Sequence, residues 1–249
     1  KKREAEAKRM QQGIETTLNA HDRLHHSTQA AIRRLENLPE KIIVLFLASN
    51  PVDQNQLRLD EENRKITQMI RLSDHRDSVE LVSAWAVQPL DVLQAINEHE
   101  PAIIHFSGHG TSDEIAFQDN QGLTKLVSTE ALVQTMVASS DNIRFVFLNA
   151  CHSKNTALAA AVHVEAAIGM NEAIGDEAAA VFSAQFYSAI GFGKNIKVAF
   201  EQAKAALMLE SIPEENIPEL FVKDGLDPEK IIIVKPQNKK EADEATIQP

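Results

Sequence analysis

The chain holds one cysteine, Cys151, at the end of the apolar run Phe145-Val146-Phe147-Leu148-Asn149-Ala150. A second apolar run, Ala102-Ile103-Ile104-His105-Phe106, leads into Ser107-Gly108-His109-Gly110. Cysteine attacks as a thiolate, yet a free thiol with a pKa of about 8.5 is mostly protonated at neutral pH. A neighbouring imidazole can take that proton and later hand it to a leaving amine. Two strand-like segments that each end in one such side chain are what a cysteine–histidine hydrolase requires. The glycines beside His109 allow a tight backbone path. The backbone N–H groups of Gly110 and Cys151 are then candidate donors to a developing oxyanion. Ser153 is read as the N-cap of the helix behind the cysteine, keeping its positive end near the sulfur.

The elements that must position these residues alternate in type from Lys41 onward. Strands are expected at Ile42–Leu47, Val79–Ala84, Ala102–Phe106, Ile143–Leu148 and Ala166–Gly169, where short apolar runs lie between turn signals. Helices are expected at Leu59–Leu72, Leu90–His99, from Ser128 to about Val137, Thr156–Val162, Asp176–Ile190 and Asn195–Leu209. Ile115–Phe117 and Lys125–Val127 read as a hairpin around Asn120-Gln121-Gly122. Ile231–Val234 reads as a last edge strand. This β-α-β alternation implies an α/β fold with a mainly parallel sheet and helices on both faces. In such sheets chemistry gathers outside the carboxyl ends of the strands, where both candidates lie.

Composition divides the chain into three segments. Residues 1–40 are rich in charged residues and glutamine, with Met10, Ile14, Leu18, Leu24, Ile32, Leu35 and Leu38 at loosely helical intervals. They read as a helical linker or partner-binding segment that stops at Pro39. Residues 41–235 form the main domain, and the Lys/Glu/Gln-rich tail 236–249 reads as disordered. A net charge of −11 is the wrong sign for contact with a phosphate backbone, so direct nucleic-acid binding is not expected. A lone cysteine makes no internal disulfide and no thiolate metal cage, which points to a reducing, cytoplasmic setting. No stretch is long and apolar enough to span a membrane. The opening Lys1-Lys2-Arg3, without a methionine, reads as the start of a piece of a longer protein. His105 and His109 are four apart, a metal-binding spacing on a helix but not on a strand, so no metal site is expected. His105 reads as a hydrogen-bonded core residue, His21, His25 and His26 as solvent-facing, and Trp85 and Tyr187 as core or pocket wall.

The run His105-Phe106-Ser107-Gly108-His109-Gly110, with Leu148-Asn149-Ala150-Cys151-His152-Ser153 placing its cysteine 42 residues after the histidine, resembles the caspase-like cysteine peptidases. It is similar in particular to the bacterial CHAT branch, grouped with caspases, metacaspases and separase. Leu45-Phe46-Leu47-Ala48-Ser49-Asn50-Pro51, Ile168-Gly169-Met170 and Ala173-Ile174-Gly175-Asp176 also resemble CHAT segments, and the similarity runs from about Lys41 to Ile212. It implies a caspase-like three-layer sandwich, with His109 as base, Cys151 as nucleophile and no cofactor. The caspase signature Q-A-C-[RQG]-G is only partly met, since Asn149 replaces glutamine and His152-Ser153 come after the cysteine. Cleavage after aspartate is therefore not implied.

In relatives, the loop after the first strand and the loop after the strand next beyond the cysteine line the substrate pocket. Here those loops carry Asp53, Asp60 and Glu61, and Asn171, Glu172 and Asp176, with no basic residue evident among them. Asp176, Asp60 and Glu172 are the candidates for an acidic pocket that takes a basic P1 residue. Asp176 has a competing role as N-cap of the helix that starts there. The resemblance implies an endopeptidase whose partners are a protein substrate and an upstream sensor domain or partner protein, as in effector modules of bacterial defence. A non-catalytic interaction module would be marked by loss of either dyad residue, and both are present. A nucleotide-binding domain would need a Gly-rich turn after the first strand, where Ala48-Ser49-Asn50-Pro51 stands instead.

Overall fold

The computed structural model describes residues 41–139 and 141–235, together with 10, 14, 16–26, 28–29, 32–33 and 39. The chain divides into two compact units, Lys1–Leu38 and Pro39–Pro249. In the first unit every described residue is helical, including the run 16–26. Leu35, Leu38 and the tail 236–249 lie outside the described residues.

The second unit is built on a six-stranded sheet of order β2-β1-β3-β6-β7-β8. Its strands are β1 (Ile42–Ser49), β2 (Val79–Trp85), β3 (Ile103–Gly108), β6 (Phe145–Asn149), β7 (Ala166–Met170) and β8 (Pro218–Val222). All neighbours are parallel except β8, which runs antiparallel to β7 at the edge. A separate hairpin, β4 (Glu114–Gln118) with β5 (Thr124–Ser128), comes after β3. The connecting helices are α1 (Leu59–Arg71), α2 (Pro89–His99), α3 (Thr129–Ser139), α4 (Lys154–Ala161), α5 (Asp176–Gly191) and α6 (Ile196–Leu209).

Strand alternation divides the core into two layers. Val44, Phe46, Ile103, Phe145 and Phe147 pack with Leu59, Ile66 and Ile70 of α1 and with α5 and α6. Leu45, Leu47, Ile104, Phe106, Val146 and Leu148 face the other way, onto α2, α3, α4 and the hairpin. The central strands are therefore apolar on both faces, as expected of a parallel sheet covered on each side.

One expectation about an element and one about a side chain need correction. The edge strand is Pro218–Val222, and Ile231–Val234 forms no strand. Three of its four residues are buried, and only Asn195 bridges to Ile232. An apolar run can serve as core filling as well as a strand, and Pro218 is admitted both as a first strand residue and on an edge strand. Trp85 is 49% exposed at the end of β2, its ring tilted against Phe46, so it is not a core residue. Tyr187, by contrast, is fully buried.

Candidate functional site

The register of β3 and β6 places the two reactive side chains. Ser107 pairs with Asn149 across the parallel ladder. His109 and Cys151 each stand two residues further along, so both leave the same end of adjacent strands. The two loops touch. A Cβ on Gly110 would come within 2.8 Å of the Cys151 carbonyl and 3.1 Å of the Ala150 Cβ. One on Gly108 would meet the Ser49 carbonyl at 2.5 Å. Only glycine lets the histidine loop lie this close to the cysteine and to β1. Cys151 and His109, both half-buried, line one cleft together with Leu57, Glu62, Ser107 and Asn149.

Each loop is held by identifiable bonds. After Cys151 the chain turns through His152 in the left-handed region (φ 56°), a strained conformation for a non-glycine residue. The His152 N–H donates to the Glu172 carbonyl at 3.2 Å, and α4 begins at once. Ser153 occupies the N-cap position, but its side chain does not cap. Its hydroxyl donates to Leu148 O (2.9 Å) and accepts from Met170 N–H (3.0 Å), tying the ends of β6 and β7 together.

His109 Nε2 lies 2.8 Å from the Asn55 carbonyl. A carbonyl only accepts, so Nε2 carries the hydrogen and Nδ1 is left as the basic nitrogen. The loop that presents Asn55 is closed by Asn50, whose side chain bonds both N–H and C=O of Leu57. It is strapped to the hairpin by Asp53, whose Oδ1 accepts from Thr124 N–H (2.9 Å) and Thr124 Oγ–H (2.8 Å). The Thr124 hydroxyl holds the Asp53 carboxyl below its ordinary pKa. Beside His109, the flanking bonds of the Gly110–Ile115 bridge run from Ala116 N–H to His109 O and from Thr111 N–H to Glu114 O. That pattern leaves the Gly110 N–H outside the ladder.

Beneath the cleft lies a network that sequence reasoning missed. Glu62, 3% exposed, accepts from Asn149 Nδ2 (2.6 Å), His105 Nε2 (3.0 Å) and the Ser107 hydroxyl. With Nε2 donating, His105 Nδ1 accepts from Tyr187 Oη at 3.1 Å. Burial raises the Tyr187 pKa well above its usual value, and the Glu62 charge adds to the shift, so its proton stays on. Leu59, Glu62, Ile66 and Ile70 are the buried face of α1. A carboxylate at the i+3 position of an apolar stripe was the available signal. The Asn55 contribution uses a main-chain atom and left no signal.

The three pocket carboxylates have different fates. Asp176 lines the cleft, whereas Asp60 and Glu172 are exposed and lie outside its lining. Asp60 faces solvent because the α1 stripe turns Leu59 and Glu62 inward instead. Asp176 is not an N-cap either. Gly175 holds that position, and Asp176 Oδ2 accepts from Arg58 N–H at 3.3 Å. A basic residue, Arg58, also lines the cleft, but its guanidinium pairs with Glu61 at 2.6 Å and is 71% exposed. His105 and His109 do not converge on a shared ligand position, since each is bound to different partners.

A covered parallel sheet with an antiparallel edge, and a thiol and imidazole at adjacent strand ends, is a caspase-like architecture. Residues 6–221 match the family model of the CHAT domain, and the chain belongs to that family. It is 25% identical over 181 residues to a Roc-COR-CHAT protease of an unknown prokaryotic organism, covering 70% of this chain and 17% of that protein. It is 25% identical over 169 residues to a probable protease of Gillisia limnaea, covering 66% of this chain and 30% of that protein. The chain thus spans less than a third of the length of either curated relative. Among solved structures it is similar to a secreted C11 cysteine protease from Bacteroides thetaiotaomicron (TM-score 0.51, 14% identity, 73% of this chain and 66% of that one). It is also similar to caspase-1 from Spodoptera frugiperda (TM-score 0.53, 8% identity, 80% and 91%). Among the described residues no helix is long and apolar enough to cross a membrane.

Proposed function

We propose that this domain is a cysteine endopeptidase in which Cys151 is the nucleophile and His109 the general base. The observation that carries the reading is the in-register pair Ser107–Asn149, which sends both side chains into one cleft, with Gly110 packed on Cys151. His109 Nδ1 takes the thiol proton, and the sulfur bonds to the scissile carbonyl carbon. Backbone N–H groups of Gly110 and Cys151 receive the oxyanion. Collapse breaks the C–N bond, and the amine leaves with the proton from His109. Water, deprotonated by the same ring, then cleaves the thioester and restores the thiol. The Asn55 carbonyl keeps the ring in the required tautomer.

Asp176 is the pocket carboxylate this reading retains, favouring a basic or otherwise non-acidic residue before the scissile bond. The curated relatives carry protease names and are far longer. The domain therefore fits the effector part of a larger bacterial sensor or defence protein, acting on a protein partner in a reducing cytoplasm. The test is a mixed-peptide cleavage screen of the native chain against Cys151→Ala and His109→Ala. Both substitutions are expected to abolish cleavage, and cleavage that survives them overturns the assignment.

A further inference from the structure

We propose that Glu219, on the edge strand β8, is a positioning residue for Cys151: it holds the left-handed turn by which the chain leaves the cysteine. This rests on the peptidase reading above and deepens it. The turn is strained at His152, and strain of that kind persists only where the surroundings hold it. One main-chain bond, from His152 N–H to Glu172 O at 3.2 Å, ties it to the next loop. Neither partner of that bond lies in regular structure. His152 stands between β6 and α4, and Glu172 between β7 and α5.

Glu219 fastens the chain on both sides of this bond. Lys154, two residues after His152, places its Nζ 2.9 Å from each Glu219 carboxylate oxygen. Asn171, one residue before Glu172, donates from Nδ2 to Glu219 Oε1 at 3.0 Å. The same Nδ2 donates to Asn216 O at 3.1 Å, and Asn171 N–H donates to Ile217 O at 3.0 Å. The reach from α4 is short. A Cβ on Gly169 of β7 would come within 2.8 Å of the Ser153 carbonyl, and Gly169 pairs with Glu219. Stability does not account for the cluster. The Lys154 and Glu219 side chains are 44% and 31% exposed, and ion pairs that wet add little to folding. Their contribution is placement: one carboxylate joins α4, the loop after β7 and β8 around the turn beside the nucleophile. Turnover is far more sensitive to such placement than folding is.

The test makes two measurements on the native chain, Glu219→Ala, Glu219→Gln and Lys154→Met. One is hydrogen exchange of the His152 amide by nuclear magnetic resonance, and the other is kcat and KM on the peptides of the cleavage screen. Glu219→Ala is expected to speed exchange at His152 about tenfold, since the turn opens locally while the core stays closed. Its kcat should fall about tenfold with KM within about twofold of native, and its melting temperature should barely move. Glu219→Gln, whose amide oxygen still accepts from Asn171, should recover part of both losses. Lys154→Met removes one arm of the clamp and carries the same readings if Glu219→Ala does not fold. Exchange at the native rate in Glu219→Ala and Lys154→Met overturns the proposal, whatever the turnover. Faster exchange with native kcat also overturns it and leaves the peptidase reading intact. Faster exchange in the variants of a chain that cleaves no peptide sinks the peptidase reading and supports the hold of Glu219 on the turn.

Discussion

His105 and His109 leave the same strand four residues apart and end in opposite surroundings. His105 is fully buried, its ring stacked on Phe46 and bonded through both nitrogens to Glu62 and Tyr187. His109 is half-buried at the rim, with Nε2 on a main-chain carbonyl and the residue itself part of the cleft lining. The first is locked by side chains on two helices packed over the sheet. The second depends on a loop, which is itself held by another loop and a hairpin. A histidine whose two nitrogens are both committed cannot exchange protons without breaking structure. One committed nitrogen fixes the ring and leaves the other for chemistry. On the proposed function the floor of the cleft contributes rigidity and the rim reactivity, and substitutions in the two regions should then separate stability from turnover.

The floor should give the largest effect on stability. Glu62→Ala leaves the donors of His105, Ser107 and Asn149 facing a void, which costs about 3–5 kcal/mol for a buried network stripped of its acceptor. Equilibrium denaturation by urea measures it, and a loss below about 1 kcal/mol, the worth of a single ordinary hydrogen bond, would mean that the floor is no firmer than the rim. On the rim, Gly110→Ala should do the reverse. The added methyl meets the Cys151 carbonyl at 2.8 Å and must push the histidine loop aside. A displacement of about 1 Å in catalytic geometry costs about a hundredfold in turnover, while the core is touched only at Ala150 and Ile115 beside the loop. Equal losses of turnover and stability in this variant would erase the distinction between the two regions.

The strand ends were the legible part of this molecule. Apolar runs bounded by Ser107-Gly108 and by Asn149-Ala150 revealed both β3 and β6, and His109 and Cys151 stand immediately past those boundaries. Parallel β-α-β order and the two layers of helices are also visible in residue periodicity alone. The partners of these side chains were less visible. Asp60 stood out as a carboxylate at a helix start, yet the helical phase set by Leu59, Ile66 and Ile70 selects Glu62 for the interior. β8 escaped notice because Pro218 and Glu219 interrupt its apolar character. It is held by pairing to β7 and by Leu220, Phe221 and Val222, which pack partly buried against the core. The Asn55 carbonyl is a main-chain atom that any residue supplies, so only the path of the loop reveals it.

Tyr187 offers a smaller and spectroscopically clean probe of the floor, because it is the only tyrosine in the chain. Its folded pKa lies well above the ordinary value of 10.0. Below that ordinary value the side chain is protonated in both folded and unfolded states, and its contribution to stability is complete. As pH rises past it, the unfolded chain ionises first, and stability falls until the folded value is reached. The tyrosinate absorbance band is therefore expected to grow in together with the loss of far-ultraviolet circular dichroism. Tyrosinate forming in a fully folded protein would show the floor to be open to solvent. Tyr187→Phe should cost about 1 kcal/mol by leaving His105 Nδ1 without its donor.

Asp53 provides the mildest test, and it lies wholly on the rim. Its carboxylate joins the loop bearing Asn55 to Thr124 of the hairpin, and its pKa is lowered chiefly by the Thr124 hydroxyl. A depressed folded value means that the strap is in place above the usual carboxyl pKa and is lost as pH falls through the folded one. Asp53→Asn should therefore melt slightly below the native chain at neutral pH and converge with it in strong acid. The residue is fully exposed, so the difference in melting temperature should be small. Turnover should respond more, falling a few-fold as the Asn55 carbonyl loosens its hold on His109, with restoration in part by Asp53→Glu. The rim assignment predicts this imbalance between a slight change in stability and a clear change in kcat/KM. A variant that melts early but turns over peptide at the native rate would move Asp53 from the positioning of His109 to the support of the fold.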